Sequence, residues 1–195
     1  MKLILASGSK QRKDILDMIG LKYEVLISDE EELSNADNPE DYVKELSVIK
    51  ANSVAKKLEK KAIIIAADSI IYMDGKTYEK PKTKEEAYNN LKEISGKASY
   101  AYTGVTIKDL YQNKEITFCD VCTVYMKNLS DEDIKWYVEN EEKLFKVCGY
   151  TILGKASIFL DKLDGDHNTL FGLSPSRVFE KLKELGYKLS DFELK

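Results

Sequence analysis

The chain has 195 residues, of which 43% are hydrophobic and 33% are charged, and its formal net charge is −4 at pH 7. This length and composition are typical of a globular protein with a proper core, and they exclude a disordered chain and a fibre. The negative charge disfavours nonspecific binding to nucleic acid or to an anionic membrane, so any anion site must be local. The apolar runs are too short for a membrane span and the N-terminus lacks the apolar region of a signal peptide, which together predict a cytoplasmic protein.

Strand-like and helix-like segments alternate along the chain without a repeat or a long linker, which favours an α/β fold with a mixed sheet in a single domain over residues 1–195. The strands and helices are predicted from apolar alternation, helical spacing and capping residues. In chain order they are strand Lys2–Ala6, helix Lys10–Ile19, strand Tyr23–Ser28, helix Pro39–Leu58, hairpin Ala62–Met73 with Lys76–Tyr78, helix Lys84–Ile94, strands Ser99–Lys108 and Ile116–Lys127, helix Asp131–Asn140, strands Val147–Leu153 and Ala156–Leu160, and helix Pro175–Leu185.

The first predicted helix begins with an unusual concentration of positive charge. Ser9 is its predicted N-cap, and three cations, Lys10, Arg12 and Lys13, follow within one turn. Each cation beside the positive end of the helix dipole costs roughly 0.3–1 kcal/mol when no anion is near. The arrangement is tolerable if at least Arg12 faces a bound polyphosphate.

Lys50 and Asp68 also lie where a charged side chain is costly. In the predicted helix Pro39–Leu58, Lys50 shares an apolar stripe with the residues four positions away on either side, so its ammonium must extend to solvent or meet an anion. Asp68 stands within Ala62–Met73, the most hydrophobic strand-like run. A turn at residues 66–68 would expose this carboxylate; otherwise it needs a cation, a metal or a water to act on. Both interpretations stay open from the residues alone.

Two loop segments add further charged groups. Lys80 precedes Pro81, which biases it toward an extended backbone, although a solvated loop lysine is the commoner explanation. The run Asp29–Glu32 contains three glutamates after an aspartate and is either a solvated face or a source of oxygen ligands for Mg²⁺. Cations, a helix N-terminus and carboxylates together are the groups that a bound triphosphate, its divalent ion and an attacking water require.

Three cysteines and one histidine could instead suggest zinc. Cys119 and Cys122 lie in a predicted strand, where residues three apart point to opposite faces, and Cys148 makes the count odd. A zinc site that combines these cysteines with His167 is therefore disfavoured, and buried structural thiols are the preferred interpretation.

A series of short motifs runs in a fixed order over nearly the whole chain. The motifs are Leu5-Ala6-Ser7-Gly8-Ser9-Lys10-Gln11-Arg12, Lys50-Ala51, Ala67-Asp68-Ser69, Lys80-Pro81, Ser95-Gly96, Thr103-Gly104-Val105, Gly165-Asp166 and Gly172-Leu173. This series resembles the Maf family, the nucleoside triphosphate pyrophosphatases also described as septum-formation inhibitors. One such motif is weak evidence, whereas an ordered series is strong.

The resemblance implies an elongated mixed sheet with flanking helices and two lobes around a cleft, similar to the fold of inosine triphosphate pyrophosphatases. It implies hydrolysis of a nucleoside triphosphate to the monophosphate and pyrophosphate with a divalent metal, Mg²⁺ or Mn²⁺, as cofactor. By this analogy Asp68 is the catalytic proton acceptor that activates water, and it holds the metal together with Glu32 and Glu31, where the alignment is open by one residue. The residues expected to hold the phosphates are Ser7, Arg12, Lys50 and Lys80. Family members are often dimers, which leaves a homodimer open.

Substrate choice does not follow from the resemblance. The specificity positions of the family correspond here to Gln11, Ser69 and Leu153, and all three differ from the residues of the dTTP/UTP-specific branch. Leu153 stands where that branch has a glutamine, and a leucine side chain cannot hydrogen-bond a base. The expected substrate is therefore a modified or noncanonical nucleotide.

Two other functions stay open from the sequence. One is a nucleotide-binding regulator of cell division or septum formation with little turnover. The other is a protein-interaction module that uses the acidic run.

Overall fold

The computed structural model describes residues 1–146 and 154–195, and these form an α/β fold with five helices and a seven-stranded sheet. The strands are β1 (Leu3–Leu5), β2 (Glu24–Val25), β3 (Ile63–Met73), β4 (Lys76–Tyr78), β5 (Ala98–Asp109), β6 (Lys114–Met126) and β7 (Leu160–Asp164). The α-helices are α1 (Lys10–Met18), α2 (Pro39–Lys56), α3 (Lys84–Ile94), α4 (Asp131–Asn140) and α5 (Pro175–Glu184). Short 3₁₀ helices cover Lys155–Phe159, His167–Phe171 and Leu189–Asp191. No helix in the described ranges is long and apolar enough to cross a membrane.

The sheet is mixed, as predicted. Its strand order is β2-β1-β3-β5-β6-β7, and β4 pairs with β3 outside this path. Strand β1 is parallel to both β2 and β3, whereas β4 is antiparallel to β3 and β7 is antiparallel to β6. The parallel pairs require the crossovers that α1 and α2 provide, which is the pattern expected of alternating strands and helices.

Two predicted strands near the end of the chain fare differently. The predicted strand Ala156–Leu160 is wrong, because Lys155–Phe159 is a 3₁₀ helix and the strand begins at Leu160. A hydrogen bond from the Ser157 N–H to the Gly154 carbonyl begins this helix. Its short apolar sequence is equally typical of a strand, so the sequence pattern does not distinguish the two. The other predicted strand, Val147–Leu153, lies outside the described residues, as do Cys148 and the specificity position Leu153.

Capping residues mark the helix starts as the sequence indicates. Asn38 caps α2 with its side chain accepting from the Asp41 N–H, and Pro39 occupies the first turn. The Ser9 side chain caps α1 by accepting from the Arg12 N–H. The N-cap of α1 therefore fixes the backbone of Arg12, and the side chain of the same residue is buried.

The apolar core lies on both faces of β1 and β3, and the two faces alternate residue by residue. Leu3, Leu5, Ile63, Ile65 and Ala67 belong to one core cluster, which also contains residues of α1 and α5. Ile4, Ala6, Ile64 and Ala66 belong to a second cluster, which contains Ala51 and Val54 of α2. Odd-numbered positions of β3 thus face α1 and α5, and even-numbered positions face α2.

Helix α2 also lies directly against the backbone of β5. A Cβ built on Gly104 would stand 2.3 Å from the carbonyl carbon and oxygen of Val43, so only a glycine permits this approach.

The described residues form two compact units. The first comprises Met1–Ser69, Tyr102–Asp120 and Asp166–Lys195, and the second comprises Ile70–Ala101 and Val121–Gly165. The expectation of a single domain over 1–195 stays a prediction.

Candidate functional site

The site begins where β3 runs past the end of its parallel neighbour β1. The pairing of the two strands ends at Leu5 and Ile65. Ser7 lies just after the end of β1, and Asp68 lies in the part of β3 that continues beyond this pairing. The alternative that the chain turns at residues 66–68 is wrong, because β3 continues unbroken to Met73. Polar side chains after the carboxyl ends of parallel strands occupy the usual ligand-binding edge of an α/β sheet.

The alternation of β3 sends Asp68 and Ser69 to opposite faces. Asp68, an even position, lies on the α2 face, and Ser69, an odd position, lies on the face of α1 and α5. A cation meets each of them: the half-buried Lys50 from α2 meets Asp68, and the buried Arg12 from α1 meets Ser69. Two adjacent strand residues therefore connect two cationic clusters.

On the α2 face, the Lys50 ammonium binds two carboxylates. Its Nζ lies 2.6 Å from Oδ1 of Asp68 and 2.9 Å from Oε2 of Glu32. The side chains of Lys50 and Asp68 are only 12% and 14% exposed, whereas that of Glu32 is 44% exposed. Lys50 therefore does not extend to bulk solvent; it meets anions, and in this structure those anions are carboxylates of the protein itself.

On the α1 face, the Arg12 guanidinium binds only neutral oxygens among the described residues. Nε donates to the Gly172 carbonyl at 2.9 Å, Nη1 donates to Ser7 Oγ at 3.1 Å, and Nη2 donates to Ser69 Oγ at 2.9 Å. Arg12 is 8% exposed, and this burial lowers its pKa from the usual value, against the opposing field of Asp68 and Glu32.

These three bonds use three of the five N–H donors that a guanidinium carries. The charge of Arg12 is thus held in place by dipoles within the described residues and is not neutralised by a directly bonded carboxylate. A buried cation of this kind is a ready partner for an anionic ligand.

Gly172 has to be a glycine for Arg12 to fit. Its φ is +87°, in the left-handed region, and a Cβ at this position would stand 2.8 Å from Nε of Arg12 and 3.0 Å from Ser69 Oγ. The absence of a side chain at Gly172 lets its carbonyl reach the guanidinium.

Behind Ser69 lies a threonine that sequence reasoning did not place in the site. Thr103 Oγ1 is 2.9 Å from Ser69 Oγ and donates to the Thr169 carbonyl at 2.9 Å. Thr103 is fully buried. Two motifs in the sequence contain residues of this part of the site, Thr103-Gly104-Val105 and Gly172-Leu173. Neither motif indicates a role for its residues until the fold is known.

The acidic run after β2 is held against α2. Asp29 Oδ1 accepts from Ser53 Oγ at 3.0 Å and pairs with Lys57 at 2.9 Å, and Glu30 pairs with Lys56 at 2.6 Å. The hydrogen bonds from Lys57 and Ser53 lower the pKa of Asp29. This anchoring brings Glu32 to Lys50. Glu31 is exposed.

The remaining predicted site residues are spread more widely. Lys10 is exposed and pairs with Asp14 along α1, and Gln11 is exposed on the same helix. Lys80 is exposed and belongs to the second compact unit, so its phosphate-binding role stays a prediction. The structure brings Ser7, Arg12, Lys50, Asp68 and Glu32 together in the first unit.

The carboxylates of Asp68 and Glu32 fit a hard divalent cation that takes only one or two of its ligands from the protein. The described residues contain no group of three or more histidine, cysteine, aspartate or glutamate side chains suited to a metal ion. Asp68 and Glu32 nevertheless share one cation, Lys50 Nζ, and Mg²⁺ is commonly held by one or two carboxylates with substrate phosphates and waters completing its shell.

The two cysteines within the described residues, Cys119 and Cys122, play no part in this arrangement. Cys122 is buried and Cys119 is half-buried, and burial raises the pKa of the Cys119 thiol to about 12. A thiol with a raised pKa stays protonated at neutral pH and is a poor nucleophile.

Fold and site together define an α/β protein that has a buried arginine, and a half-buried lysine bound to a carboxylate pair, at the end of a parallel strand pair. The Maf-like protein family matches residues 2–185. A protein of Thermoanaerobacter sp. (strain X514), named dTTP/UTP pyrophosphatase, is 39% identical over 183 residues, which cover 94% of this chain and 96% of the relative. A protein of Carboxydothermus hydrogenoformans with the same name is 38% identical over 187 residues, covering 96% and 100%. The chain belongs to the Maf-like protein family, which confirms the resemblance.

A solved structure supports the fold class. The Staphylococcus aureus Ham1 protein aligns with a TM-score of 0.51 at 14% sequence identity, covering 96% of this chain and 100% of the Ham1 chain. This likeness concerns the fold alone, and it confirms the predicted α/β class.

Proposed function

We propose that this protein hydrolyses a nucleoside triphosphate to the nucleoside monophosphate and pyrophosphate. One observation carries the proposal: β3 presents Ser69 to a buried guanidinium, which is held by three neutral oxygens and has donors to spare, and it presents the adjacent Asp68 to Lys50, which also binds Glu32. The names of the relatives, dTTP/UTP pyrophosphatase, support the same reaction class.

Arg12 and Ser7 bind the polyphosphate in this proposal. The guanidinium offers its two remaining N–H donors to phosphate oxygens, and the α1 N-terminus adds its dipole. Arginine suits this task because its planar fork matches two phosphate oxygens at once. Lys80 is expected to contribute a further ammonium.

Asp68 accepts the proton of the attacking water. Its Oδ1 is bonded to Lys50, while Oδ2 has no hydrogen bond from the described residues and can accept one from water. Lys50 holds the carboxylate in one orientation through this bond, and its ammonium is expected to bind a phosphate oxygen of the substrate. Attack at the α-phosphorus breaks its bond to the bridging oxygen, and pyrophosphate leaves.

Asp68 and Glu32 would hold the divalent metal, with Mg²⁺ or Mn²⁺ as the candidates. When bound, such an ion would neutralise phosphate charge and orient the phosphate groups. When the ion is absent, the Lys50 ammonium pairs with both carboxylates and offsets part of their negative charge.

The base is proposed to be modified or noncanonical, since Gln11 and Ser69 differ from the residues of the dTTP/UTP-specific branch. The names of the relatives make dTTP and UTP the competing substrates. We place the reaction in the cytoplasm, and a homodimer stays a prediction.

A pyrophosphate-release screen tests the proposal. Standard, methylated and deaminated triphosphates, with dTTP and UTP among them, are incubated with Mg²⁺ or Mn²⁺, and the products are separated by chromatography. We expect pyrophosphate and the monophosphate in equal amounts from at least one substrate. Tight binding without turnover would favour the nucleotide-binding regulator, and no triphosphate-induced thermal shift would favour the interaction module.

A further inference from the structure

We propose that Thr103 is a positioning residue for Arg12 and acts through a directed chain of hydroxyl groups. This inference deepens the proposed function, because it rests on Arg12 binding the polyphosphate. The chain runs from Arg12 through Ser69 and Thr103 to the Thr169 carbonyl, with 2.9 Å at each of its three steps.

The direction of every bond follows from counting protons. A hydroxyl has one proton to donate, and a carbonyl can only accept. Thr103 gives its proton to the Thr169 carbonyl, so it must accept from Ser69. Ser69 has then given its proton away and can only accept from Arg12.

This direction has a consequence for Ser69. Its hydroxyl proton is committed to Thr103, so Ser69 cannot donate a hydrogen bond to a nucleobase while the chain is intact. Ser69 therefore shapes the site chiefly by orienting Nη2 of Arg12. Its influence on substrate choice, which the family resemblance implies, would act through the guanidinium.

The chain also connects Arg12 to one short segment at two points. The Thr169 carbonyl ends the hydroxyl chain, and the Gly172 carbonyl accepts directly from Nε. Both carbonyls belong to the turn of His167–Phe171 and its C-cap, which Asp166 begins by accepting from the Asn168 N–H. The guanidinium is thus fixed on two sides by the same piece of backbone, and this fixes where its unused N–H donors point.

Polyphosphate binding to the substitution Thr103→Val tests this inference. Valine has nearly the shape of threonine but cannot accept from Ser69, so Arg12 loses its orientation while its charge stays. We expect affinity for inorganic tripolyphosphate, measured by calorimetry, to fall about 10-fold. In turnover assays KM should rise by a similar factor while kcat changes less than about 3-fold. Thr103→Ser keeps the hydroxyl and should restore both values.

A matched control lies on the same strand. Thr106 is as fully buried as Thr103 in β5, but its hydroxyl bonds to Ser47 and Thr117, away from Arg12. Thr106→Val should lower the melting temperature about as much as Thr103→Val and leave tripolyphosphate affinity unchanged. If both variants weaken binding equally, or if neither does, Thr103 has no positioning role.

Ser69→Ala covers the case in which Thr103→Val fails to fold. It removes the middle of the chain at a half-buried site, so it should reproduce the loss of affinity. Where both single variants fold, their combination should lose little more affinity than either one, because both break one connection. Additive losses would overturn the inference. Wild-type protein that binds tripolyphosphate without hydrolysing any triphosphate would contradict the proposed function but not the positioning role, and wild-type protein that does not bind it would contradict both.

Discussion

Two cations, the buried Arg12 and the half-buried Lys50, lie on opposite faces of β3, and they meet different partners. Lys50 is paired with two carboxylates, whereas the described residues that bond to Arg12 offer only a carbonyl and two hydroxyls. The lysine and its two carboxylates thus carry a net negative charge together, whereas the arginine keeps its positive charge. The difference indicates where an anionic ligand gains most: it meets an uncompensated charge at Arg12 and must compete with carboxylates at Lys50.

The largest expected effect comes from the carboxylate on the lysine side. Asp68→Asn keeps the shape of the side chain but cannot accept a proton from water, so pyrophosphate release should fall by about 10²- to 10⁴-fold. Steady-state kinetics measures the loss, and circular dichroism checks that the fold is retained. Activity within a few-fold of wild type would remove Asp68 from the mechanism.

On the arginine side, binding should suffer more than chemistry. Arg12→Gln removes the charge that no carboxylate neutralises, and we expect KM for the triphosphate to rise about 10- to 100-fold. Arg12→Lys is the matched variant: it keeps the charge but has three donors where arginine has five, so none is left for phosphate once three protein oxygens are bonded, and it should rescue KM only in part. Full rescue by lysine would mean that charge alone matters there.

Removing the other cation should be felt in stability. Lys50→Met leaves Asp68 and Glu32 without their shared ammonium, and the free energy of unfolding should fall by about 1–3 kcal/mol. Lys44→Met is the control on the same helix. Lys44 pairs with Glu40 at 3.0 Å and Asp41 at 2.7 Å on the surface, and its loss should cost under about 1 kcal/mol. Urea denaturation compares the two, and equal losses would mean that burial does not distinguish them.

The smallest expected effect concerns metal binding without substrate. If Asp68 and Glu32 are metal ligands, Lys50 competes with the ion for them. Mn²⁺ should then raise the melting temperature of Lys50→Met more than that of wild type, by the equivalent of about 1 kcal/mol at saturating metal. The same ion should not distinguish Lys44→Met from wild type. An identical Mn²⁺ response in all three proteins would remove the carboxylate pair from the metal site.

Local sequence rules predict much of this architecture because they act over a few residues. Ser9 and Asn38 cap their helices as predicted, and of the two interpretations that the α2 stripe left open for Lys50, solvent or an anion, the structure shows the anion. The alternation along Ile63–Met73 also predicts that Asp68 and Ser69 point to opposite faces of the sheet, since odd and even positions of a strand face opposite ways.

Contacts between distant parts of the chain could not be predicted in this way. Nothing near Thr103 in the sequence indicates that Ser69 and the Thr169 carbonyl lie beside it, because β3, β5 and the 3₁₀ turn meet only in the folded protein. The same limit applies to Gly172. The requirement for a glycine there comes from its contact with Arg12, which is distant in the sequence. At Lys155–Phe159 the difficulty is different, since a short apolar run has no period long enough to separate helix from strand.

The division of β3 into two faces has a practical consequence for redesign. Asp68 and its partners can be altered from α2, and the guanidinium can be altered from α1 and the turn of His167–Phe171, with only a peptide bond in common. Affinity and turnover should therefore be adjustable by separate libraries, one for each side of the strand. A one-residue deletion upstream in β3 would do the opposite, because it would exchange the two faces and mismatch both partners together.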